Sequence, residues 1–133
     1  MIMDVPQKDL EEIIAWLDTH DVFERAWIFG SRAMGDSRPD SDLDLAIQHG
    51  AMRGDSNAFT TSIAEAKNWR AELQPRISLE LDLQSYIPGD TEVVEQGLKR
   101  CSVLIWERSS NKAKQLRPFG AGPRYARPLL AAL

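Results

Sequence analysis

A chain of 133 residues with 43% hydrophobic side chains and a net charge of −4 is long enough for one buried core and too apolar for wholesale disorder. Its single cysteine, Cys101, excludes an internal disulfide framework and a cysteine-based zinc site, and is expected as a buried, inert thiol in a reducing compartment. No apolar run approaches the roughly 20 residues of a membrane span, and the polar start Met1 to Asp9 is unlike a signal peptide, so a soluble cytoplasmic protein with no membrane partner is expected.

In chain order, Pro6 to about His20 reads as a helix. Leu10, Ile13, Ile14 and Leu17 fall at i, i+3, i+4 and i+7, Pro6 suits the first turn, and Asp9, Glu11 and Glu12 take the other side. Trp16, beside that stripe, is expected in the core or at a partner contact. Ala26 to Phe29 is a short apolar run ending at a glycine, the pattern of a strand buried on both faces that stops and turns. Gly30 supplies the turn and Ser31 can cap a short helix, which aims backbone N–H groups at one point, a seat for phosphate. Taken alone, a Gly-Ser after a strand is more often a plain turn.

Leu43, Leu45 and Ile47 then alternate with Asp42, Asp44 and Ala46, so a second strand carries its apolar residues on one face and both aspartates on the other. Two carboxylates about 6.5–7 Å apart along a strand repel one another unless cations sit between them, and hard divalent cations resolve the conflict by taking carboxylate and phosphate oxygens together. An isolated Asp-Leu-Asp is more simply a wet acidic face. Here, however, a turn-rich connector containing Gly35, Asp36, Ser37, Pro39 and Asp40 joins it to the phosphate turn, and that puts both on one rim.

His49-Gly50 to Ser56 reads as a loop, with His49 a surface residue. Asn57 can cap a helix to about Leu73 with Phe59, Ile63, Ala66 and Leu73 inward, stopped by Pro75. Ile77 to Leu83 alternates strictly as a third strand whose polar face holds Ser78, Glu80, Asp82 and Gln84, so Glu80 or Asp82 can complete a three-carboxylate site. Asp90 can cap a helix through Arg100 with Val93, Val94 and Leu98 buried and Gly97 allowing close approach, and Ser102 to Trp106 is a final strand. The interleaving predicts an α/β (α+β) two-layer domain, with a mixed sheet of about four strands, helices mainly on one face and the active rim at strand ends.

Charge divides the chain. Residues 108–133 carry +6, from Arg108, Lys112, Lys114, Arg117, Arg124 and Arg127, and residues 1–107 carry −10. The domain is expected over 1–107. The tail, with Pro118, Gly120, Gly122, Pro123 and Pro128, reads as a solvated, partly disordered end. Docking onto an acidic partner, or onto nucleic acid with Phe119 and Tyr125 stacking, is the alternative.

Gly30-Ser31-Arg32-Ala33 followed by Arg38-Pro39-Asp40-Ser41-Asp42-Leu43-Asp44-Leu45 resembles the signature of polymerase-beta-type nucleotidyltransferases, and most closely their smallest branch, the minimal nucleotidyltransferases found beside helical HEPN proteins. The resemblance implies a two-layer nucleotidyltransferase fold, ATP as substrate with two Mg²⁺ ions, and nucleotide binding by Gly30 and Ser31, with Arg32 and Ser41 beside them. It implies metal ligation and catalysis by Asp42 and Asp44 and by a third carboxylate from a later strand, which the Leu-Asp-Leu setting assigns to Asp82 in preference to Glu80. Arg32, next to the phosphate turn, and Arg38 offer positive charge to the phosphates or the leaving group. The resemblance further implies the antitoxin of a toxin–antitoxin pair that transfers AMP to a tyrosine of a HEPN toxin, as a homodimer or hetero-oligomer. Nucleic acid is not an expected partner. Met34 departs from the pattern, standing where many members carry a second arginine, and it favours the alternative of a non-catalytic nucleotide- or partner-binding antitoxin. A nucleotide-sugar glycosyltransferase, whose Asp-X-Asp holds Mn²⁺, needs a larger fold and leaves Gly30-Ser31 unexplained.

Overall fold

Alternating apolar residues set the sheet, and the sheet sets everything else. In the computed structural model, which describes residues 3–108, the elements run α1 (Gln7–Leu17), β1 (Phe23–Phe29), α2 (Ser31–Met34), β2 (Leu43–His49), α3 (Ala58–Leu73), a single 3-10 turn (Gln74–Arg76), β3 (Leu81–Tyr86), α4 (Glu92–Arg100) and β4 (Ser102–Glu107). The basic tail from residue 109 onward, with Phe119 and Tyr125, lies outside the described residues. Arg108 does not: its backbone N–H donates to Glu24 O at 2.9 Å and its guanidinium to Phe23 O at 2.7 Å, fastening the end of β4 to the start of β1.

The four strands form one mixed sheet in the order β3-β2-β1-β4, with β1 antiparallel to both β2 and β4 and β2 parallel to β3. The parallel pair needs a crossover, and α3 supplies it. Residues opposite one another across the strands share a face. One face therefore carries Phe29, Asp44 and Asp82, and the other carries Ile28, Leu45 and Leu83.

Helices α1 and α3 cover the apolar face. Leu10, Ile13, Trp16 and Leu17 of α1 are buried, so Trp16 is a core residue. From α3, Trp69 meets Phe23 and His49 edge to face, each at a centroid distance of 4.9 Å. The opposite face is crossed by α4. There Gly97 lies so close to Phe29 that an added Cβ would stand 3.1 Å from the ring, the close approach its sequence position suggests.

Several expected boundaries and faces shift. The first strand begins at Phe23, three residues before the apolar run that announces it. His49, expected on a surface loop, is the last residue of β2 and 4% exposed, with Nε2 2.9 Å from Ser85 Oγ and Nδ1 2.9 Å from Gly50 O. Burial pushes its imidazole below the ordinary pKa. Asn57 does cap α3, accepting from the Thr60 N–H at 2.9 Å. On the inward side of that helix Leu73 is buried as expected, together with Thr61 and Trp69, whereas Phe59, Ile63 and Ala66 are exposed. The third strand starts at Leu81 and not at Ile77, which leaves Glu80 ahead of it. Thr91, not Asp90, precedes α4, and Val93 is exposed while Val94 and Leu98 are buried as expected. Cys101 is half-buried with its pKa raised by desolvation, consistent with an inert thiol.

This packing separates two residues of one helix that look alike in the sequence. Trp69→Ala is expected to destabilise the domain by about 3–5 kcal/mol, and Phe59→Ala by less than about 0.5 kcal/mol, in urea unfolding followed by circular dichroism. Equal losses would mean that α3 is rotated on the sheet.

Candidate active site

The rim is built where β1 ends and β2 begins. Phe29 pairs with Asp44, and the chain leaves β1 through Gly30 at φ 76°, a conformation in the region that favours glycine. A Cβ at Gly30 would lie 2.2 Å from Asp44 Oδ2, so the turn and the carboxylate are in direct contact. In α2 the first intrahelical donors are the N–H groups of Ala33 and Met34, both 3.1 Å from Gly30 O, which leaves those of Ser31 and Arg32 ahead of the ladder at the rim.

From the rim of β2, Asp42 and Asp44 follow the strand's alternation, Asp42 exposed and Asp44 half-buried. The parallel register then sets Asp82 of β3 opposite Asp44. The two carboxyl groups therefore stand side by side on adjacent strands. Burial first, then the hydrogen bond and charge of Asp82, then the charge of Asp42, raise the Asp44 pKa to about 7. Gln84 Nε2 donates to Asp82 Oδ1 at 2.9 Å and fixes the other side of that carboxyl group. Glu80, the alternative third acid, is turned to α3, where it accepts from Arg70 Nη2 at 2.5 Å with its side chain 64% exposed.

Among the described residues no three His, Cys, Asp or Glu side chains already stand in metal-ligand geometry. The donor chemistry nevertheless fits a hard divalent cation: Asp42, Asp44 and Asp82 offer carboxylate oxygens, the ligand type such an ion takes.

Arg32 does not sit where a phosphate contact was expected. It is 6% exposed, and its guanidinium donates to main-chain carbonyls: Nε and Nη2 to Ser41 O at 3.1 and 2.9 Å, Nη1 to Asp4 O at 2.8 Å, and Nη2 to Arg38 and Pro39 at 3.3 Å. It holds the connector shut. Ser41 is part of that device, its Oγ accepting from the Arg38 N–H at 2.9 Å. Asp4 completes it by accepting from both the N–H and the hydroxyl of Ser37, at 3.1 and 2.8 Å.

A cleft of about 400 Å³ opens beside Gly30 and Asp44, walled by Phe29, Met34 and Cys101 and, from α4, by Val93, Gln96, Gly97 and Arg100. The sequence reading missed the α4 wall. Its signal was present in the i, i+3, i+4, i+7 spacing of 93, 96, 97 and 100, a row beside the buried one.

Two outcomes test this geometry. Gly30→Ala is expected to lower stability by about 1–3 kcal/mol, and by clearly less in an Asp44→Ala background, where the obstructing carboxylate is gone; additive losses in a double-mutant cycle would refute the contact. Because the folded-state pKa of Asp44 is raised, ionising it costs stability increasingly as pH rises from about 4 to about 7. In metal-free buffer, Asp44→Asn, whose amide can still donate to Asp82, is expected to raise the melting temperature more at pH 8 than at pH 5.

The sequence matches the family profile described as Polymerase beta, Nucleotidyltransferase over residues 11–111. No curated protein matches it. Among solved structures, a toxin–antitoxin complex with AMP-PNP superposes with a TM-score of 0.50 at 22% identity, over 75% of this chain and 74% of that one. A candidate nucleotidyltransferase from Sulfolobus solfataricus gives 0.46 at 23% identity, over 74% and 77%. A mutant of the toxin–antitoxin MntA-HpeT gives 0.49 at 19% identity, over 75% and 74%. With a family match over most of its length and the expected mixed sheet, the chain belongs to the polymerase-beta nucleotidyltransferase family.

Proposed function

We propose that the protein is a Mg²⁺-dependent nucleotidyltransferase of the minimal branch that moves AMP from ATP to a hydroxyl of a partner protein, a tyrosine of a HEPN-type toxin, and so acts as the antitoxin of the pair in the cytoplasm. The observation that carries this reading is the contact of the Gly30 turn with Asp44, itself opposite Asp82, because it joins a phosphate seat to a set of oxygen ligands within one side-chain length. The family match supports it, as does the AMP-PNP complex of a protein of like fold. Among the described residues no helix is long and apolar enough to cross a membrane.

In this mechanism the N–H groups at Gly30 and Ser31 bind the outer phosphates of ATP, with Ser41 on the connector alongside. Asp42, Asp44 and Asp82 hold two Mg²⁺ ions, which supply charge neutralisation at the α-phosphorus and at the departing pyrophosphate. Asp82, steadied by Gln84, takes the proton of the acceptor hydroxyl as its oxygen bonds to the α-phosphorus and the bond to pyrophosphate breaks. Arg32 acts through the backbone, keeping Ser41 and the opening of β2 in register with the phosphate turn. The partner interface positions the acceptor. A non-catalytic antitoxin is the second reading, favoured by the uncharged Met34 that lines the cleft.

Incubating the protein and its co-purified partner with Mg²⁺ and ATP labelled at the α- or the γ-phosphate separates these readings. Label from the α position is expected on the partner, reduced about 100-fold or more by Asp42→Asn, Asp44→Asn or Asp82→Asn and little changed by Glu80→Gln. Label from the γ position alone would make it a kinase. No label from either, with the partner still bound, would establish the non-catalytic antitoxin.

A further inference from the structure

The functional reading leaves one wall of the cleft without a role. On α4, Val93, Gln96, Gly97 and Arg100 form a single row facing it, while Val94 and Leu98 on the adjacent row are buried against the sheet. Val93 is 86% exposed and Met34, on the other side of the cleft, 46%. Single exposed apolar side chains are ordinary on a surface, but these two line one cleft and give it apolar surface at both walls.

At the rim end of the same row stands Arg100. Among the described residues it makes no ion pair or hydrogen bond, unlike its neighbour Lys99, which pairs with Glu95 at 3.2 Å. The guanidinium nearest the phosphate turn, that of Arg32, is committed to main-chain carbonyls. Of the residues lining the cleft, Arg100 is the one with a positive charge, and its planar fork suits phosphate oxygens. From Val93 to Arg100 is about 10 Å along the helix, enough to separate a base from a polyphosphate. The volume, about 400 Å³, is that of a small-molecule site.

We propose that this cleft seats the nucleotide, with Arg100 gripping its phosphates and Val93 and Met34 flanking its base. The assignment rests on the nucleotidyltransferase reading and adds to it the side chains that bind the two ends of the substrate. A basic residue in the last turn of a helix also favours the helix dipole. That role shows in the melting temperature and not in ligand affinity.

Calorimetric titration of the full chain with Mg²⁺-AMP-PNP, and separately with Mg²⁺-pyrophosphate, tests the assignment. Arg100→Gln is expected to weaken both ligands about tenfold or more with the melting temperature essentially unchanged, and Arg100→Lys to fall between. Val93→Asp is expected to weaken AMP-PNP and spare pyrophosphate. If Arg100→Gln and Val93→Asp bind AMP-PNP as the wild type does while Asp44→Asn does not, the cleft assignment fails and the nucleotidyltransferase reading stands. If the wild type binds neither ligand, both fail.

Discussion

Three carboxylates brought together without a countercharge are the constraint on which the rest of the structure turns. Asp44 stands opposite Asp82 because β2 and β3 are parallel in that register, and Asp42 lies just ahead of β2, two residues before Asp44. The register is not negotiable. Slipping it by one residue would turn Leu43, Leu45 and Ile47, each at most 1% exposed, out of the core. Burial of that apolar face and of the aromatic cluster of Trp16, Phe23, His49 and Trp69 outweighs the repulsion at the rim, which shows in the raised pKa of Asp44.

The connector between the phosphate turn and the acidic strand has almost no apolar content, so packing cannot hold it. Arg32 does so instead. A buried guanidinium is expensive unless all its donors are used, and here they reach four carbonyl oxygens drawn from the N-terminal segment and the connector. The charge thereby becomes a bracket. The same residue type at Arg100 makes no such contacts among the described residues, and the contrast separates a structural arginine from one free for a ligand.

How far the sequence showed this depends on the range of the interactions. The two-residue period of Leu43 to Ile47 gave the correct face for Asp44, because strand alternation is local. Asn57 was readable as a cap for the same reason. The inward side of α3 was not. Its apolar residues occupy more than one row, and what selects the row holding Trp69 and Leu73 is the ring of His49 and that of Phe23, both distant in sequence. His49 was misread because the side chain that satisfies it, Ser85, belongs to another strand. Arg32 was placed at the phosphates by proximity along the chain, whereas its carbonyl partners are supplied by the fold of the connector. The alternation from Ile77 onward was real in sequence, yet Ile77 to Glu80 precede the strand, with Ser78 hydrogen-bonded to α1.

The acids of this protein divide by what faces them. Asp9, 4% exposed, accepts from both the N–H and the hydroxyl of Ser78, so its charge ties α1 to the segment before β3. Asp4 does the same for Ser37, and Asp55 accepts from the Thr61 hydroxyl at 2.5 Å. Each accepts from donors already in the structure. Asp44 faces the opposite arrangement, half-buried with the carboxyl groups of Asp82 and Asp42 close by. A neutral side chain at 44 would serve the fold better. Local rules of charge satisfaction are kept at Asp4, Asp9 and Asp55 and broken at Asp44, where the packing of the sheet, and not the carboxylates, sets the arrangement.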